Sequence, residues 1–280
     1  MILDGKKIAL ARKIKLKKEI EVLIQKNQRQ PSLKVLMVGN DPASETYVAH
    51  KLKVANELNI KAELIRFDFD VKHAELYSKI DELNVDENVD GILLQLPLPK
   101  SFNEEDYLQA ISPSKDVDGF HYINQGRLLQ GYETIYPCTP LGIINLLEDY
   151  NIKLTGQNVT VIGTSNIVGK PLALMLLNKK ATVTMCNKNT IDIKKHTKSA
   201  DILISATGKK FIITEDMVNS NCTVIDVGII RDLTTNKLVG DVDFENVAKK
   251  VKNITPVPGG VGPMTVITLM ENTLKLYKNK

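Results

Sequence analysis

The feature that most constrains the fold is a repeated alternation along the chain. Apolar runs of strand length are separated by segments with the 3.6-residue period of helices. This alternation is typical of a parallel sheet covered by helices on both faces, so we predict an α/β fold. The predicted strands are Leu33–Val38, Lys61–Phe67, Gly91–Leu96, Asn158–Ile162, Ala181–Cys186, Asp201–Ser205 and Thr223–Val227. The predicted helices are Lys7–Gln28, Ala43–Leu58, His73–Leu83, Leu141–Tyr150, Val168–Leu177 and Met264–Tyr277.

A change of pattern in the middle of the chain indicates a domain boundary. The stretch Pro97–Thr139 has few long periodic segments and many Pro, Gly, Asp and Asn residues, so we place the boundary there or just after it. Its last residues form the motif Pro137-Cys138-Thr139-Pro140, which resembles a helix start with Thr139 as the N-cap and Pro140 at the first helical position. A ligand-binding role for this motif is an equally open alternative.

Composition and charge indicate which kinds of ligand or partner the protein binds. The 280 residues include 37 Lys and Arg against 33 Asp and Glu, a net charge of +4. This excess is too small to suggest extended nucleic-acid binding, and a small anionic substrate fits it better. No stretch reaches membrane-spanning length, and the scattered histidines form no metal-binding motif, so neither a membrane nor a metal is predicted. Widely separated cysteines favour a reducing, cytoplasmic location: Cys138, Cys186 and Cys222.

A glycine-bearing turn predicts a nucleotide site in the second half. It follows the predicted strand Asn158–Ile162 and runs from Gly163 to Gly169 before a helix. A turn in this position brings backbone N–H groups and the positive helix end against a pyrophosphate. Ser165 stands where GxGxxG has its middle glycine, so the letters alone are also compatible with a plain strand-to-helix turn.

The end of the next strand bears on the choice between NADP and NAD. Sites for NAD usually carry an acid about 20 residues beyond the glycines, which binds the ribose 2′-hydroxyl. Here the strand ends in Met185-Cys186-Asn187-Lys188, with no carboxylate. Lys188 supplies a positive charge where a 2′-phosphate would lie, which favours NADP. The alternative for this single residue is a solvated loop lysine.

Polar residues in the first half predict a reaction site. Tyr47 and Lys51 are four residues apart on a predicted helix and therefore share a face. The helix follows a strand, so its first turns lie where open α/β sheets bind ligands. Gln95 ends another strand and reaches the same edge. The polar amide of Gln95 lies in an apolar run, where it would be unfavourable without a hydrogen-bond partner. Lys51 is the candidate partner.

The Tyr-x-x-x-Lys spacing also occurs in two different settings. It is the catalytic pair of short-chain dehydrogenases, and it arises by chance on solvated helix faces. Order along the chain argues against the first, because in that family the glycine motif precedes the pair. Here Tyr47 and Lys51 come far before Gly163.

Taken together, these segments closely resemble the bifunctional methylenetetrahydrofolate dehydrogenase/methenyltetrahydrofolate cyclohydrolase family. They follow the family's order over almost the whole chain. The matching segments are Asp41–Lys51, Gln95–Pro99, Lys115–Phe120, Pro137–Pro140, Asp226–Gly228, Gly240–Val242 and Thr255–Thr265.

The resemblance implies an enzyme that oxidises 5,10-methylenetetrahydrofolate to 5,10-methenyltetrahydrofolate with NADP and hydrolyses the product to 10-formyltetrahydrofolate. Tyr47 would stack on or beside the folate, Lys51 would transfer the proton of the hydrolytic step, and Gln95 would orient Lys51. Asp118 would accept hydrogen bonds from the pterin ring, although on its own it is also compatible with a simple turn residue. A loop would close over the substrate, formed by Pro258, Gly259 and Gly260. The nucleotide would contact Gly163, Thr164, Ser165, Lys188 and Ile229.

The resemblance also implies a domain arrangement. Residues 1–138 plus 262–280 would form the folate-binding catalytic domain, and residues 139–261 a Rossmann-like NADP-binding domain. The two α/β units would face each other across a cleft, with the last helix returning to the first unit. A homodimer is expected by family analogy.

The chain departs from the family pattern in three places, one of which is a pair of residues. Many members have Arg at the position of Thr164 and a His-Ser pair at Asn187 and Lys188, and most have Asn where this chain has Ile230. The first two departures touch the expected 2′-phosphate contacts, so the choice between NADP and NAD is less firmly implied than the reaction. Lys188 is a candidate to replace the missing arginine.

Two other functions remain open at this point. A dehydrogenase without the hydrolytic activity fits most of the same motifs, although the retained Lys51 argues against it. A nucleotide-binding regulatory protein without turnover would predict that the polar side chains of the reaction site do not converge.

Overall fold

The computed structural model describes residues 1–26 and 29–280. The chain divides into two compact units, each built around a parallel sheet. The three-stranded unit comprises Ala11–Cys138 and Val266–Lys280, and the five-stranded unit comprises Met1–Leu10 and Thr139–Thr265.

The three-stranded sheet has the order β2-β1-β3, with all strands parallel. Its strands are β1 (Ser32–Val38), β2 (Lys61–Phe67) and β3 (Gly91–Leu94). The central strand β1 is buried at six of its seven positions, because neighbours cover its edges and helices cover its faces. The edge strand β2 carries exposed residues in alternation instead.

Helices precede, connect and follow these strands, and the second of them supplies part of the site. The helices are α1 (Gly5–Gln25), α2 (Pro42–Glu57), α3 (His73–Val85), α4 (Glu104–Ala110) and α5 (Tyr122–Leu129). Helix α2 begins where Pro42 occupies the first turn and the Asp41 carboxylate accepts a hydrogen bond from the Ser44 N–H at 2.8 Å. This cap fixes the start of the helix directly after β1.

The five-stranded sheet has the order β10-β7-β6-β4-β5. From residue 138 onward the elements in chain order are α6 (Cys138–Asp149), β4 (Asn158–Ile162), α7 (Gly169–Asn178), β5 (Thr182–Cys186), α8 (Ile193–Lys198), β6 (Ile202–Ser205), β7 (Thr223–Asp226), the hairpin β8 (Ile230–Arg231) and β9 (Leu238–Val239), α9 (Phe244–Lys250), β10 (Asn253–Ile254) and α10 (Val261–Lys278). From Val266 onward, α10 belongs to the three-stranded unit. From β4 the chain adds β5 on one side and β6 on the other. A parallel α/β sheet binds ligands outside the strand ends where the order reverses in this way.

The α/β fold is confirmed, and the structure adds elements that the sequence did not predict. Helices α4 and α5 lie inside the stretch that showed few periodic segments, and α8 and α9 are of similar length. Helices of six to eight residues are too short to establish a period in the sequence. The end of the predicted helix Lys7–Gln28 lies outside the described residues.

One local expectation is wrong, and the grouping of one segment differs from the expected one. Helix α6 begins at Cys138, one residue before the predicted N-cap Thr139, and the Thr139 hydroxyl instead lies 3.1 Å from the Thr265 hydroxyl. Residues 1–10 belong to the five-stranded unit, whereas the sequence grouped them with residues 11–138. Residues 1–10 belong to the five-stranded unit because the Leu3 N–H donates to the Ile254 carbonyl at 2.8 Å, which extends the sheet beyond its edge strand β10.

None of the described helices is both long enough and apolar enough to cross a membrane.

The N-cap of α2 can be tested by mutation. Asp41→Ala removes the acceptor for the Ser44 N–H and should lower the free energy of unfolding by about 1 kcal/mol, within a range of about 0.5–2 kcal/mol. Denaturant unfolding of the full chain measures this change. Asp41→Asn is the control, because it keeps a side-chain oxygen at the cap. Equal destabilisation by both variants would contradict the capping role of Asp41.

Candidate functional site

A lysine occupies the buried stripe of α2. The buried residues of this helix are Ser44, Val48, Lys51 and Ala55, with the spacing of one helix face. Lys51 is only 8% exposed. Lysine is rarely buried unless its ammonium group finds partners, so its surroundings identify a candidate site.

Two side chains contact the Lys51 ammonium group. Lys51 Nζ donates a hydrogen bond to Gln95 Oε1 at 3.0 Å and lies 5.0 Å from the centre of the Tyr47 ring. Gln95 Nε2 donates to the Leu96 carbonyl at 2.7 Å, which holds the amide with its oxygen toward the lysine. The predicted convergence of Tyr47, Lys51 and Gln95 is therefore present in the three-stranded unit.

Asp118 reaches the same neighbourhood by another route. The chain runs parallel to β3 at Asp116, which forms a bridge with Ile92, so Asp118 comes level with the end of that strand. Gly119 then turns the chain at a φ of +66°, and a Cβ there would lie 2.5 Å from the Ile135 carbonyl oxygen. Only glycine combines this backbone angle with so close an approach.

Burial and charge change the acidity of these groups. Burial lowers the pKa of Lys51, and the negative charge of Asp118 raises it in part. The pKa of Asp118 is raised because protein encloses most of the carboxylate, although the side chain keeps some solvent contact, and the charge of Lys51 opposes this rise. A lysine with a lowered pKa has a larger neutral fraction near pH 7, which suits it to exchange protons with a bound substrate.

Two residues complete the surroundings of Asp118 without having been assigned a role from the sequence. The Cys138 thiol donates a hydrogen bond to the Val117 carbonyl at 3.4 Å, and burial, with the nearby charge of Asp118, raises the pKa of this thiol well above its ordinary value. Asn272 of α10 donates hydrogen bonds to the Val117 and Tyr136 carbonyls, both at 2.9 Å. The motif at Pro137–Pro140 was the only sequence signal for Cys138, and a polar residue in an apolar helix was the only one for Asn272.

A cavity of 750 Å³ lies in the five-stranded unit, at the ends of β4 and β6. Its size is that of a small-molecule site. Four predicted nucleotide contacts line it, Gly163, Thr164, Ser165 and Lys188. The others that line it are Ile162, Asn187, Asn189, Thr190, Ile193, Ala206, Thr207, Lys209 and Ile212.

Close backbone packing accounts for the two glycines of the turn. Gly163 has a φ of +114°, and a Cβ there would lie 2.3 Å from the Ala206 carbonyl oxygen. A Cβ on Gly169 would lie 2.0 Å from the Gly163 carbonyl oxygen. Ser165 takes a different role from the glycine it replaces, because its hydroxyl accepts the Val168 N–H at 3.2 Å. The turn is thus held against β6 and the first turn of α7, as a phosphate-binding turn requires.

Lys188 is presented by a turn that its neighbours fix. The Asn187 N–H donates to the Thr190 hydroxyl, and the Asn189 N–H donates to Asn187 Oδ1, both at 2.9 Å. Lys188 between them is exposed at the cavity wall. Ile229 is not among the described residues that line this cavity, and it is 53% exposed. Its predicted contact with the nucleotide remains a prediction.

The loop of Pro258, Gly259 and Gly260 belongs to the five-stranded unit. The Lys6 N–H donates to the Gly259 carbonyl at 3.1 Å, and a Cβ on Gly5 would lie 1.8 Å from the Gly260 carbonyl oxygen. The loop is therefore packed against the start of the chain. Its predicted contact with folate remains a prediction.

Within residues 1–26 and 29–280, no group of three His, Cys, Asp or Glu side chains is arranged to hold a metal ion.

Both parts of the chain match one family. The family described as tetrahydrofolate dehydrogenase/cyclohydrolase, catalytic domain, matches residues 3–118, and the corresponding NAD(P)-binding domain matches residues 137–280. The bifunctional protein FolD of Mesoplasma florum is 70% identical over 278 residues, which cover 99% of this chain and 97% of that protein.

Solved structures agree in fold over the full length. The bifunctional FolD methylenetetrahydrofolate dehydrogenase/cyclohydrolase of Campylobacter jejuni is 47% identical with a TM-score of 0.97, covering 100% of this chain and 99% of that one. The Trypanosoma brucei FolD enzyme, in complex with NADP and an inhibitor, is 33% identical with a TM-score of 0.95, covering 100% of this chain and 97% of that one.

The contact between Lys51 and Gln95 predicts how the pKa of Lys51 responds to charge. Gln95→Glu puts a carboxylate beside the ammonium group and should raise the pKa of Lys51 by about 1 or more. An NMR titration of the isotope-labelled lysine measures this pKa. Gln130→Glu makes the same charge change at an exposed residue of the same unit and should leave it unchanged. An unaltered pKa of Lys51 in Gln95→Glu would mean that the two side chains are not in contact in solution.

Proposed function

The chain belongs to the tetrahydrofolate dehydrogenase/cyclohydrolase family, and we propose that it oxidises 5,10-methylenetetrahydrofolate with NADP and hydrolyses the methenyl product to 10-formyltetrahydrofolate. The observation that carries this proposal is the buried Lys51, hydrogen-bonded to Gln95 and adjacent to Tyr47. A dehydrogenase step alone does not require such a group. Proton transfer in the second step does.

The oxidation depends on alignment more than on acid–base chemistry. Bound NADP supplies the acceptor for the hydride that leaves the methylene carbon. The protein has to hold the folate in register and tolerate the positive charge that develops on it. Tyr47 gives the folate a flat surface to stack on, and Asp118 accepts hydrogen bonds from the pterin ring.

The hydrolysis is where Lys51 acts. Water adds to the methenyl carbon and gives up a proton, which the neutral amine of Lys51 accepts. The bond between that carbon and N5 then breaks as the added hydroxyl becomes the formyl carbonyl and loses its proton to solvent, while the Lys51 ammonium returns its proton to N5, so one proton is released overall. The lowered pKa of Lys51 keeps part of the amine neutral near pH 7, and Gln95 holds Nζ in place for the transfer.

The cavity of the five-stranded unit suits NADP. Its glycine turn and the start of α7 provide for the pyrophosphate. Lys188 provides a cation for the 2′-phosphate, because Thr164 lacks the charge of the arginine that many family members have at its position. The predicted cofactor contacts are thus Gly163, Thr164, Ser165, Lys188 and Ile229.

The assignment of domains follows from these sites. The folate-binding role falls to residues 1–138 plus 262–280 and the NADP-binding role to residues 139–261, with residues 1–10 packed on the latter. The loop of Pro258, Gly259 and Gly260 contacts the folate. The enzyme acts as a homodimer by family analogy, in the cytoplasm, where its three buried free cysteines stay reduced, and it binds no nucleic acid.

Two alternatives are tested by one assay. A regulatory protein without turnover predicted that the polar side chains of the reaction site do not converge, and the Lys51 contacts argue against it. A dehydrogenase without the hydrolase would form NADPH and accumulate the methenyl product. The assay supplies methylenetetrahydrofolate with NADP or NAD and follows NADPH (or NADH) and both folate products. Release of 10-formyltetrahydrofolate at the uncatalysed rate would refute the hydrolytic half.

Lys188→Ala should weaken NADP binding more than NAD binding. Loss of a charge-assisted hydrogen bond to the 2′-phosphate should raise the Kd of NADP about ten-fold, while the Kd of NAD changes little. Calorimetric titration with each cofactor gives both constants. Lys195→Ala removes the same charge from an exposed residue that does not line the cavity. Equal changes for NADP and NAD would show that Lys188 does not contact the 2′-phosphate.

Lys51→Met should separate the two activities. The variant keeps an unbranched side chain but deletes the amine, so hydrolysis of methenyltetrahydrofolate should fall about 10²–10⁴-fold while folate binding survives. NADPH formation and methenyl hydrolysis are measured on the same purified variant. Lys53→Met makes the same change at an exposed position of α2 and serves as the control. Hydrolysis near the wild-type rate in Lys51→Met would remove Lys51 from its assigned role.

A further inference from the structure

Two buried carboxylates lie together at the ends of β6 and β7, outside the groups used so far. Asp226 ends β7 and is 3% exposed, and Asp241 follows β9 and is fully buried. No cation pairs with either one in the described ion pairs. Burial raises the pKa of Asp226 to about 6, and the adjacent charge of Asp241 contributes to this rise. Burying two carboxylates costs free energy unless hydrogen-bond donors compensate for the lost hydration. The donors that bind them therefore identify the segments that the two carboxylates hold in place.

Asp241 binds the chain segment that forms one wall of the nucleotide cavity. Its Oδ2 accepts hydrogen bonds from the Thr207 N–H at 2.7 Å and the Thr207 hydroxyl at 2.8 Å. Its Oδ1 accepts the Lys209 N–H at 3.1 Å. Ala206, Thr207 and Lys209 all line the cavity, and we call residues 206–209 the wall loop. Three of the bonds to Asp241 thus come from this loop.

The other contacts of the pair hold Asp241 itself in place. Ser205, the last residue of β6, donates its hydroxyl to Asp241 Oδ2 at 2.8 Å. Asp226 accepts the backbone N–H groups of Asp241 and Val242, both at 2.9 Å. A Cβ on Gly240 would lie 1.9 Å from Asp226 Oδ2, so the chain can approach this closely only with glycine. Asp226 fixes the backbone of Asp241, and Asp241 fixes the wall loop.

We propose that Asp241 is a positioning residue for the cofactor, which holds the wall loop in the conformation that binds NADP. This inference rests on the proposed function, because the ligand of the cavity is taken to be NADP. The carboxylate does not line the cavity and acts through the backbone of Thr207 and Lys209. Asp226 in turn holds the backbone of Asp241 by accepting its N–H group.

Positioning and simple electrostatics predict opposite effects of a substitution. NADP is a polyanion, so removing a negative charge behind the cavity wall should strengthen its binding if only Coulomb forces act. Loss of the acceptor should weaken binding, because an asparagine cannot accept all four donors and the wall loop is released. The sign of the change therefore distinguishes the two.

The experiment compares Asp241→Asn with the wild-type full chain. The Kd of NADP, measured by calorimetry, should rise about ten-fold or more. Hydrogen exchange at the Thr207 and Lys209 amides should become faster than in the wild type. Hydrolysis of methenyltetrahydrofolate, which uses the Lys51 site, should stay near the wild-type rate. An unchanged or lower Kd with wild-type exchange at these amides would overturn the proposal.

Two further variants keep the test decisive. Ser205→Ala removes one donor to Asp241 from a residue that does not line the cavity, and it should raise the Kd of NADP about three-fold. If Asp241→Asn does not fold, a wild-type Kd in Ser205→Ala overturns the proposal. Asp90→Asn changes a fully buried aspartate of the three-stranded unit, and a similar loss of NADP affinity there would also overturn it. Failure of the wild type to bind NADP would refute the proposed cofactor instead.

Discussion

Burial of the Lys51 ammonium group governs the chemistry of the three-stranded unit. An ammonium group removed from water loses hydration that only nearby dipoles and charges can replace. Gln95 replaces part of it with a hydrogen bond at 3.0 Å, and Asp118 replaces part of it by charge. The remaining loss lowers the pKa of the lysine, and this gives an ordinary side chain the acidity that proton transfer near pH 7 needs.

Several elements place the groups that surround Lys51. The cap at Asp41 fixes the start of α2, so that Lys51 falls on the buried stripe. The parallel run along β3 and the glycine turn at Gly119 bring Asp118 into range. The five-stranded unit uses carboxylates for a comparable purpose, since Asp226 and Asp241 hold backbone around the nucleotide cavity. In both units, buried polar groups fix side-chain and backbone positions that the apolar core alone would leave undefined.

The sequence predicted what depends on local pattern. Strand runs and the places where they end identified the two parallel sheets, the turn at Gly163 and the meeting of Lys51 with Gln95. Contacts between distant segments were out of reach where no strand end or helix face marked the residues as neighbours. Asn272 binds carbonyls more than 130 residues away, and the donors to Asp241 lie more than 30 residues before it. The start of α6 was misplaced because the Thr139 hydroxyl pairs with Thr265 rather than capping its own helix.

The proposed hydrolytic step depends on a buried lysine with a lowered pKa. The most direct measurement follows the titration of the Lys51 amine by NMR in the wild-type protein and, in parallel, the pH dependence of kcat/KM for methenyltetrahydrofolate hydrolysis above the uncatalysed rate. We expect one inflection common to both curves, at a pH below the ordinary lysine pKa of about 10.4. A lysine that titrates at its ordinary pKa, or a rate that rises at a different pH from the titration, would contradict it.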